Sequence, residues 1–108
     1  MKIESYYMMK TTFEIYKSYT FNKLMAGIGD ERIYIIYFDK LLDCLCAGWM
    51  KPEQVNNCQA IHIILNNDEY ENFNEKIYNE KVNLLTKKVK AYYVKKKLQD
   101  LESDFICI

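Results

Sequence analysis

Residues that break regular secondary structure are scarce in this chain. Its 108 residues include three glycines and one proline, and all four lie within a stretch of 26 residues, at Gly27, Gly29, Gly48 and Pro52. A β-sandwich or barrel of this size needs many tight turns, and such turns rely on glycine and proline. The scarcity therefore favours long helices over an all-β fold.

Long apolar runs and disulfide spacings are also lacking. No stretch approaches the ~20 apolar residues of a membrane span, and residues 1–7 have no apolar core of the kind that a signal peptide carries. The four cysteines, at positions 44, 46, 58 and 107, match no disulfide framework. These features predict a cytoplasmic protein with reduced thiols that does not enter a membrane.

The composition that is present is that of a small folded domain. Half of the residues are hydrophobic and 15% are aromatic, which excludes a disordered chain, and the length predicts one domain over residues 1–108. Fourteen lysines accompany a single arginine, and Asn, Ile and Tyr are common. This usage is typical of AT-rich coding sequence, as in low-GC bacteria and in their viruses and mobile elements.

Residues 67–108 carry the longest periodic pattern. If Tyr70 takes position a of a heptad, ten of the twelve a and d positions are apolar, which is typical of a helix that packs lengthwise, as in a coiled coil. We call this set the a/d row. Its a positions are Tyr70, Ile77, Leu84, Ala91, Leu98 and Phe105, and its d positions are Phe73, Glu80, Lys87, Val94, Leu101 and Ile108.

A second apolar row lies on roughly the opposite side of the same helix. This b/f row consists of Tyr78, Val82, Leu85, Val89 and Tyr92. A helix with two apolar sides has two surfaces to pack against, so we expect this chain to cover one side and a partner to cover the other. Asn67 is a fitting N-cap, and the pattern predicts a single long C-terminal helix over about residues 68–101.

The charges along the chain are unevenly distributed. Residues 1–75 carry a net charge of −4, residues 76–97 carry +7, and residues 98–108 carry −3, which together give zero. Six lysines flank the a/d row at positions e and g: Lys76, Lys81, Lys88, Lys90, Lys95 and Lys97. A parallel, in-register homodimer would oppose lysine to lysine. The a/d row therefore favours an acidic partner, which could be residues 1–75, an antiparallel copy or a foreign helix.

Three shorter helices are predicted before the long one. Thr11 and Glu14 form a capping box for a helix that starts near Thr12 and stops at Gly27. Asp30 caps a second helix that ends at Gly48, and a third begins at Pro52 and ends at residues 66–67. The fold class predicted is thus mostly α, a small helical bundle. The alternative is an α+β fold with an N-terminal hairpin at about residues 11–38, because residues 11–21 and 32–38 are rich in β-formers.

The spacing of the cysteines and the single histidine does not match a known metal site or catalytic site. Cys58 and His62 would face the same way on a helix, but Cys44 and Cys46 would point about 200° apart, and a CxC pair lacks the geometry of a zinc knuckle. His62 is the single histidine, and no nucleophile stands beside it in the sequence. The sequence predicts no catalytic residue, no metal and no cofactor.

The function that the sequence favours is non-catalytic protein–protein interaction. We expect a small inhibitor or adaptor, of viral or mobile-element type, that docks through its long C-terminal helix and self-associates as a homo-oligomer such as a homodimer. The residues predicted to touch a partner or a second copy are Tyr92, Tyr93, Val94, Leu98, Leu101, Phe105 and Ile108. The alternative is a nucleic-acid-binding module that uses the lysine-rich helix 76–97. Its candidate residues are Lys87, Lys88, Lys90, Lys95, Lys96 and Lys97.

Overall fold

The structure, a computed structural model, describes the backbone of residues 1–106 and the side chains of residues 1–98. The described residues form four strands and four helices. In order they are β1 (Lys2–Ile3), α1 (Tyr6–Met25), β2 (Ile33–Asp39), β3 (Cys44–Met50), α2 (Pro52–Val55), β4 (His62–Ile64), α3 (Asn67–Glu71) and α4 (Glu75–Ile106). The strands form one mixed sheet in the order β1-β3-β2-β4. The fold is α+β, and the predicted mostly helical bundle with a coiled-coil core is wrong.

The first helix starts earlier than predicted. Ser5 caps α1 by accepting the backbone N–H of Met8, so the predicted capping box at residues 11–14 lies inside the helix. Thr12 instead donates its hydroxyl to the carbonyl of Met8. Gly27, just past the helix, has the positive φ of 75° that a C-terminal glycine provides. Because residues 11–25 are helical, the N-terminal hairpin of the alternative, at about residues 11–38, is wrong, although its α+β class is that of the structure and residues 33–38 do form a strand.

Residues 30–48, predicted as the second helix, contain a β-hairpin. All of β2 pairs antiparallel with β3, from Ile33 opposite Met50 to Asp39 opposite Cys44. The turn between them has neither glycine nor proline. Asp39 accepts the N–H groups of Leu41 and Leu42, and Asp43 takes the left-handed conformation with φ of 51°. Asp39 is therefore a strand end, and Lys40 and Asp43 are turn residues, within a stretch predicted to be helical.

The third predicted helix is reduced to one turn. Pro52 does begin a helix, α2, but it ends at Val55, and His62–Ile64 forms the edge strand β4. Ile36 of β2 lies opposite Ile63 of β4. Ile63 and Ile64 are β-branched, and β-branched residues favour strands, which explains why this stretch forms a strand and not a helix.

The predicted long helix is split near its start. Asn66, one residue before the predicted cap, caps the short helix α3 through a capping box with Glu69. The chain then leaves helical geometry, and the side-chain oxygen of Asn74 accepts the N–H of Ile77 at the start of α4. Tyr70 and Phe73, the first two members of the a/d row, lie on this interrupted stretch and are buried.

The core lies between one face of the sheet and helices α1, α3 and α4. Phe13 of α1 contacts the rings of Tyr34, Tyr70 and Phe73 edge to face, and Tyr34 stacks on Tyr70 with 3.6 Å between ring centroids. The opposite face of the sheet buries a second apolar set, Ile35, Cys46 and Met50. Since β2 is covered on both faces, it lacks the polar alternation that would have marked it as a strand.

The last helix makes the molecule elongated. The Cα radius of gyration is 16.9 Å, against about 13 Å for a compact chain of this length, and the longest extent is 63 Å. The 32 residues of α4 span about 48 Å at ~1.5 Å per residue. Its last buried side chain among residues 75–98 is Val89. We call residues 90–106 the outer segment of α4 and the rest of the fold the body.

Candidate interaction surfaces

The b/f row attaches α4 to the body. Val82, Leu85 and Val89 are buried in the core. Tyr78 is half-buried, contacts the ring of Tyr6 and donates its hydroxyl to the carbonyl of Glu4 at 3.0 Å. One of the two apolar sides of the helix is thus covered by this chain.

The a/d row faces away from the body after Ile77. Leu84 is 50% exposed, Val94 is 61% exposed and Leu98 is 56% exposed, and Ala91 between them is also exposed. At 3.6 residues per turn these four side chains lie on one side of α4, opposite the b/f row. An exposed apolar stripe of this length on a helix is a typical contact surface for another helix.

The four predicted contact residues whose side chains the structure describes fall into two groups. Val94 and Leu98 belong to the exposed stripe, whereas Tyr92 and Tyr93 lie where α4 passes the β2–β3 hairpin. The Lys40 ammonium lies 4.6 Å from the centre of the Tyr92 ring, and the Tyr93 ring contacts Phe38 edge to face. Leu101, Phe105 and Ile108 lie outside the residues whose side chains are described.

The six lysines proposed for nucleic-acid contact are all exposed. At 100° per residue they project in several directions around α4, so they do not form one stripe. Within the described side chains, none of the six has a carboxylate within ion-pair distance. Lys81, closer to the body, does have one: its ammonium lies 2.7 Å from Glu69.

Cys44, Cys46 and His62 lie on strands of the sheet, and not on helices as predicted. Cys44 and Cys46 are two residues apart on β3 and therefore share one face of the sheet. His62 of β4 lies in the same row, because Tyr37 pairs with both Cys46 and His62. Nδ1 of His62 is 2.7 Å from the carbonyl of Ala60. In the described part of the chain, no three His, Cys, Asp or Glu side chains are grouped closely enough to hold a metal ion.

The Cys46 thiol does not have the properties of a nucleophile. Burial, together with hydrogen bonding to Cys44, raises the pKa of Cys46 to about 12. A thiol with such a pKa remains protonated at neutral pH, and the thiolate is the reactive form. The three described cysteines, Cys44, Cys46 and Cys58, are free thiols.

The sequence did not predict the exposed apolar residues of the hairpin turn. Leu41 is 97% exposed and Leu42 is also exposed, and both belong to the stretch that had been predicted as the second helix. Asp39, which orders this turn, was the one available signal, because aspartate often accepts N–H groups two and three residues later. Because no glycine follows Asp39, the same aspartate could equally be read as the N-cap of a helix.

Arg32 forms the other polar cluster that the sequence did not predict. Its guanidinium lies 3.4 Å from the centre of the Trp49 ring and 4.9 Å from that of Tyr19, and its Nε donates to Asp30. Only 8% of the Arg32 side chain is exposed. Asp30 neutralises the arginine, and the stack joins α1 to β3.

No family model, curated protein or solved structure matches this chain. Among the described residues, no helix combines the length and the apolarity needed to cross a bilayer. The function is therefore inferred from the exposed surfaces of the molecule.

Proposed function

We propose that this protein is a non-catalytic interaction protein, an inhibitor or adaptor, that docks through the exposed a/d row of α4 and self-associates. One observation carries the proposal: Leu84, Ala91, Val94 and Leu98 are all exposed on the side of α4 opposite the row that packs on the body, and among them Lys87 is the one charged member of the a/d row. Exposed apolar residues scattered singly need no explanation, but a row at helical spacing exposes apolar surface that a partner would cover. We place the protein in the cytoplasm, which the free thiols of Cys44, Cys46 and Cys58 support.

The proposal is tested by replacing Val94 and Leu98 together with glutamate and measuring the solution mass by light scattering over a range of concentrations. We expect the wild type to gain mass with concentration and the Val94→Glu/Leu98→Glu variant to remain at the monomer mass of 13.0 kDa. Glutamate suits an exposed helix position, and lysines at residues 90, 95 and 97 lie within one turn, so the helix should persist.

The matched control is Asn79→Glu/Asn83→Glu. It adds the same charge to exposed positions on the inner half of α4, at least eight residues before Ala91, and we expect it to associate like the wild type. Circular dichroism of each variant verifies that the helix content is unchanged. A wild type that stays monomeric at its highest attainable concentration would refute self-association.

The second candidate is nucleic-acid binding by the lysines of α4. It is favoured by the exposure of Lys87, Lys88, Lys90, Lys95, Lys96 and Lys97 together, all with free ammonium groups within the described side chains. Binding to mixed DNA and RNA is measured at two salt concentrations. A phosphate binder weakens steeply as salt rises, because binding releases counterions. No binding at low salt removes this candidate.

A further inference from the structure

The turn of the β2–β3 hairpin exposes two adjacent leucines. Leu41 is 97% exposed and Leu42 is 67% exposed, although leucine is among the residues that folding most often buries. Asp39 accepts the N–H groups of both residues, so the turn that presents them is fixed by its own hydrogen bonds. We call residues 40–43 the hairpin tip. Its two leucines form an apolar end to the sheet that nothing in the described part of the chain covers.

The hairpin tip lies beside the lysine-rich part of α4. Nζ of Lys40 is 4.6 Å from the centre of the Tyr92 ring, and Phe38, at the end of β2, contacts the ring of Tyr93. Three further lysines precede Tyr92 by four residues or follow it by three and four, so at about 100° per residue they project within about 60° of its direction. All of these lysines are exposed. We call the set the tip lysines: Lys40, Lys88, Lys95 and Lys96.

The acidic groups of the hairpin end have partners of their own. The carboxylate of Asp39 accepts the N–H groups of the turn, and that of Asp43 lies 3.2 Å from the amino group of Met1. Among the described side chains, no carboxylate lies within ion-pair distance of a tip lysine. The hairpin tip therefore combines an exposed apolar end with positive charge.

We propose that the hairpin tip and the tip lysines bind the surface of an anionic lipid bilayer, with Leu41 and Leu42 inserted at the boundary between headgroups and acyl chains. The lysines are attracted to the anionic headgroups, and each one near such a surface raises the affinity by about fivefold. Tyr93 is 45% exposed beside the hairpin tip, and tyrosine is enriched where lipid meets water. A nucleic acid also attracts lysines, but its phosphate backbone offers no apolar phase for the leucines.

This surface is separate from the a/d row, so the inference goes beyond the proposed function. Val94 and Leu98 project about 160° and about 120° away from Tyr92 around α4. One chain can therefore contact a bilayer and another protein at the same time. The inference differs from the sequence-based expectation that the protein does not enter a membrane, which rested on the lack of long apolar runs. Insertion of two leucines at a bilayer surface needs no such run.

The apolar contact is tested with Leu41→Ser/Leu42→Ser in the full-length chain, by co-sedimentation with vesicles made of equal parts of phosphatidylcholine and phosphatidylserine. We expect the partition coefficient to fall by about tenfold or more, because two leucines no longer leave water. Both side chains are exposed, and the turn is held through backbone N–H groups, so the fold should persist. Circular dichroism verifies that it does.

Leu24→Ser/Met25→Ser is the matched control for the leucines. These side chains are 70% and 72% exposed at the end of α1. The hairpin tip follows the end of β2, whereas the last turns of α1 lie near its start, because the ring of Tyr19 contacts Arg32 there. We expect this variant to bind the vesicles like the wild type.

The charged contact is tested with Lys88→Gln/Lys95→Gln/Lys96→Gln on the same vesicles. Removing three of the tip lysines should lower the partition coefficient by about a hundredfold. Binding to vesicles of pure phosphatidylcholine, which have no net charge, should be weaker for the wild type and little changed by the substitutions.

Lys87→Gln/Lys90→Gln/Lys97→Gln is the matched control for the lysines. It removes the same charge from the same helix, but these side chains project at least about 140° away from Tyr92. The width of the helix, about 10 Å, is close to the distance over which salt screens a charge. We therefore expect a clearly smaller loss of binding than for the tip lysines.

Four results would overturn the inference. They are a wild type that does not sediment with the mixed vesicles at low salt, a Leu41→Ser/Leu42→Ser variant that binds like the wild type, equal losses in the two triple-lysine variants, and a wild type that binds DNA or RNA but no vesicle. Self-association is measured separately by light scattering. A monomer that binds vesicles refutes the proposed self-association alone, and an associating protein that ignores vesicles refutes this inference alone.

Discussion

At the scale of single residues, the packing of the body is concentrated around Phe13. This side chain is 1% exposed, and the rings of Tyr16, Tyr34, Tyr70 and Phe73 all meet it edge to face. Those rings come from α1, β2, α3 and the segment before α4, so one side chain joins three elements of the body and a connecting segment. Aromatic pairs of this geometry contribute beyond the area that they bury.

Phe13→Ala should therefore lower the free energy of unfolding by about 3–5 kcal/mol, because it removes a ring that its neighbours cannot replace. Urea unfolding followed by the fluorescence of Trp49 measures the change. Phe21→Ala is the matched control: Phe21 lies on the same helix but is 61% exposed, so its loss should change stability by roughly 0.5 kcal/mol or less. Equal effects of the two substitutions would mean that the aromatic cluster does not dominate the core.

Gly48 is the glycine whose missing side chain matters most in the folded state. An added Cβ would lie 2.7 Å from Cε1 and 2.9 Å from Cδ1 of Tyr37, whose ring covers the glycine from the neighbouring strand. Glycine in a strand often marks such a close approach.

Gly48→Ala should destabilise the protein by roughly 1–3 kcal/mol, the usual cost of overpacking. Gly29→Ala provides the comparison, because a Cβ there meets no atom within 4 Å and its φ lies outside the left-handed region. The midpoints of urea unfolding give both values. If the two variants unfold together, the Tyr37 ring moves aside at no cost, and the close approach is not a constraint.

At the scale of elements, the sequence located the helix starts only approximately, and it marked residues 32–38 as a possible strand without identifying the strand that pairs with them. Ser5, Asn66 and Pro52 all occupy helix starts, although the predicted caps were displaced or led to helices that were too long. The hairpin could not be predicted because its turn uses Asp43 where glycine is usual, and because β2 is apolar on both faces. Local pattern alone cannot distinguish such a strand from a buried helix.

The candidate surface was better marked in the sequence than the fold. The spacing of the b/f row and the a/d row placed them on opposite sides of one helix, and Val82, Leu85 and Val89 are buried while Leu84, Val94 and Leu98 are exposed. Which row would face the body depended on the sheet, and no local signal contained that information. The role of the exposed row in binding stays a prediction.

The junction between α3 and α4 should make stability depend on pH. Burial raises the pKa of Glu69, but the Lys81 ammonium and the backbone N–H of Asn66 stabilise its carboxylate more, so the pKa is lowered overall. A lowered pKa in the folded state adds stability above the pKa of the unfolded chain, and this contribution is lost as pH falls through the folded value.

We therefore expect the wild type to lose stability as the pH falls below the ordinary range for glutamate, about 4.3. Glu69→Gln should be less stable than the wild type at neutral pH and should converge toward it in acid. Urea unfolding at pH 7 and at acidic pH measures the difference. Glu53→Gln, a substitution at an exposed position of α2, should show no such convergence. A constant gap between wild type and Glu69→Gln across this range would rule out the ion pair as its cause.

At the scale of the whole molecule, the shape of the dimer distinguishes the orientations in which α4 can pair. An antiparallel pair whose outer segments overlap over residues 90–106 should reach on the order of 100 Å, because two lengths of 63 Å share about 26 Å of helix. A parallel, in-register pair would stay near 63 Å in length. Small-angle X-ray scattering measures the maximum dimension. The Val94→Glu/Leu98→Glu variant supplies the monomer curve, for which we expect a radius of gyration near 17 Å from the Cα value of 16.9 Å.

Val89, the last buried side chain of α4 among residues 75–98, also bears on how such a protein can change over time. Substitutions beyond that point alter charge and apolar pattern without touching the aromatic centre on which folding depends. Selection can therefore change which partner the outer segment of α4 binds while the body stays constant. We expect closely related chains to differ most in the outer segment.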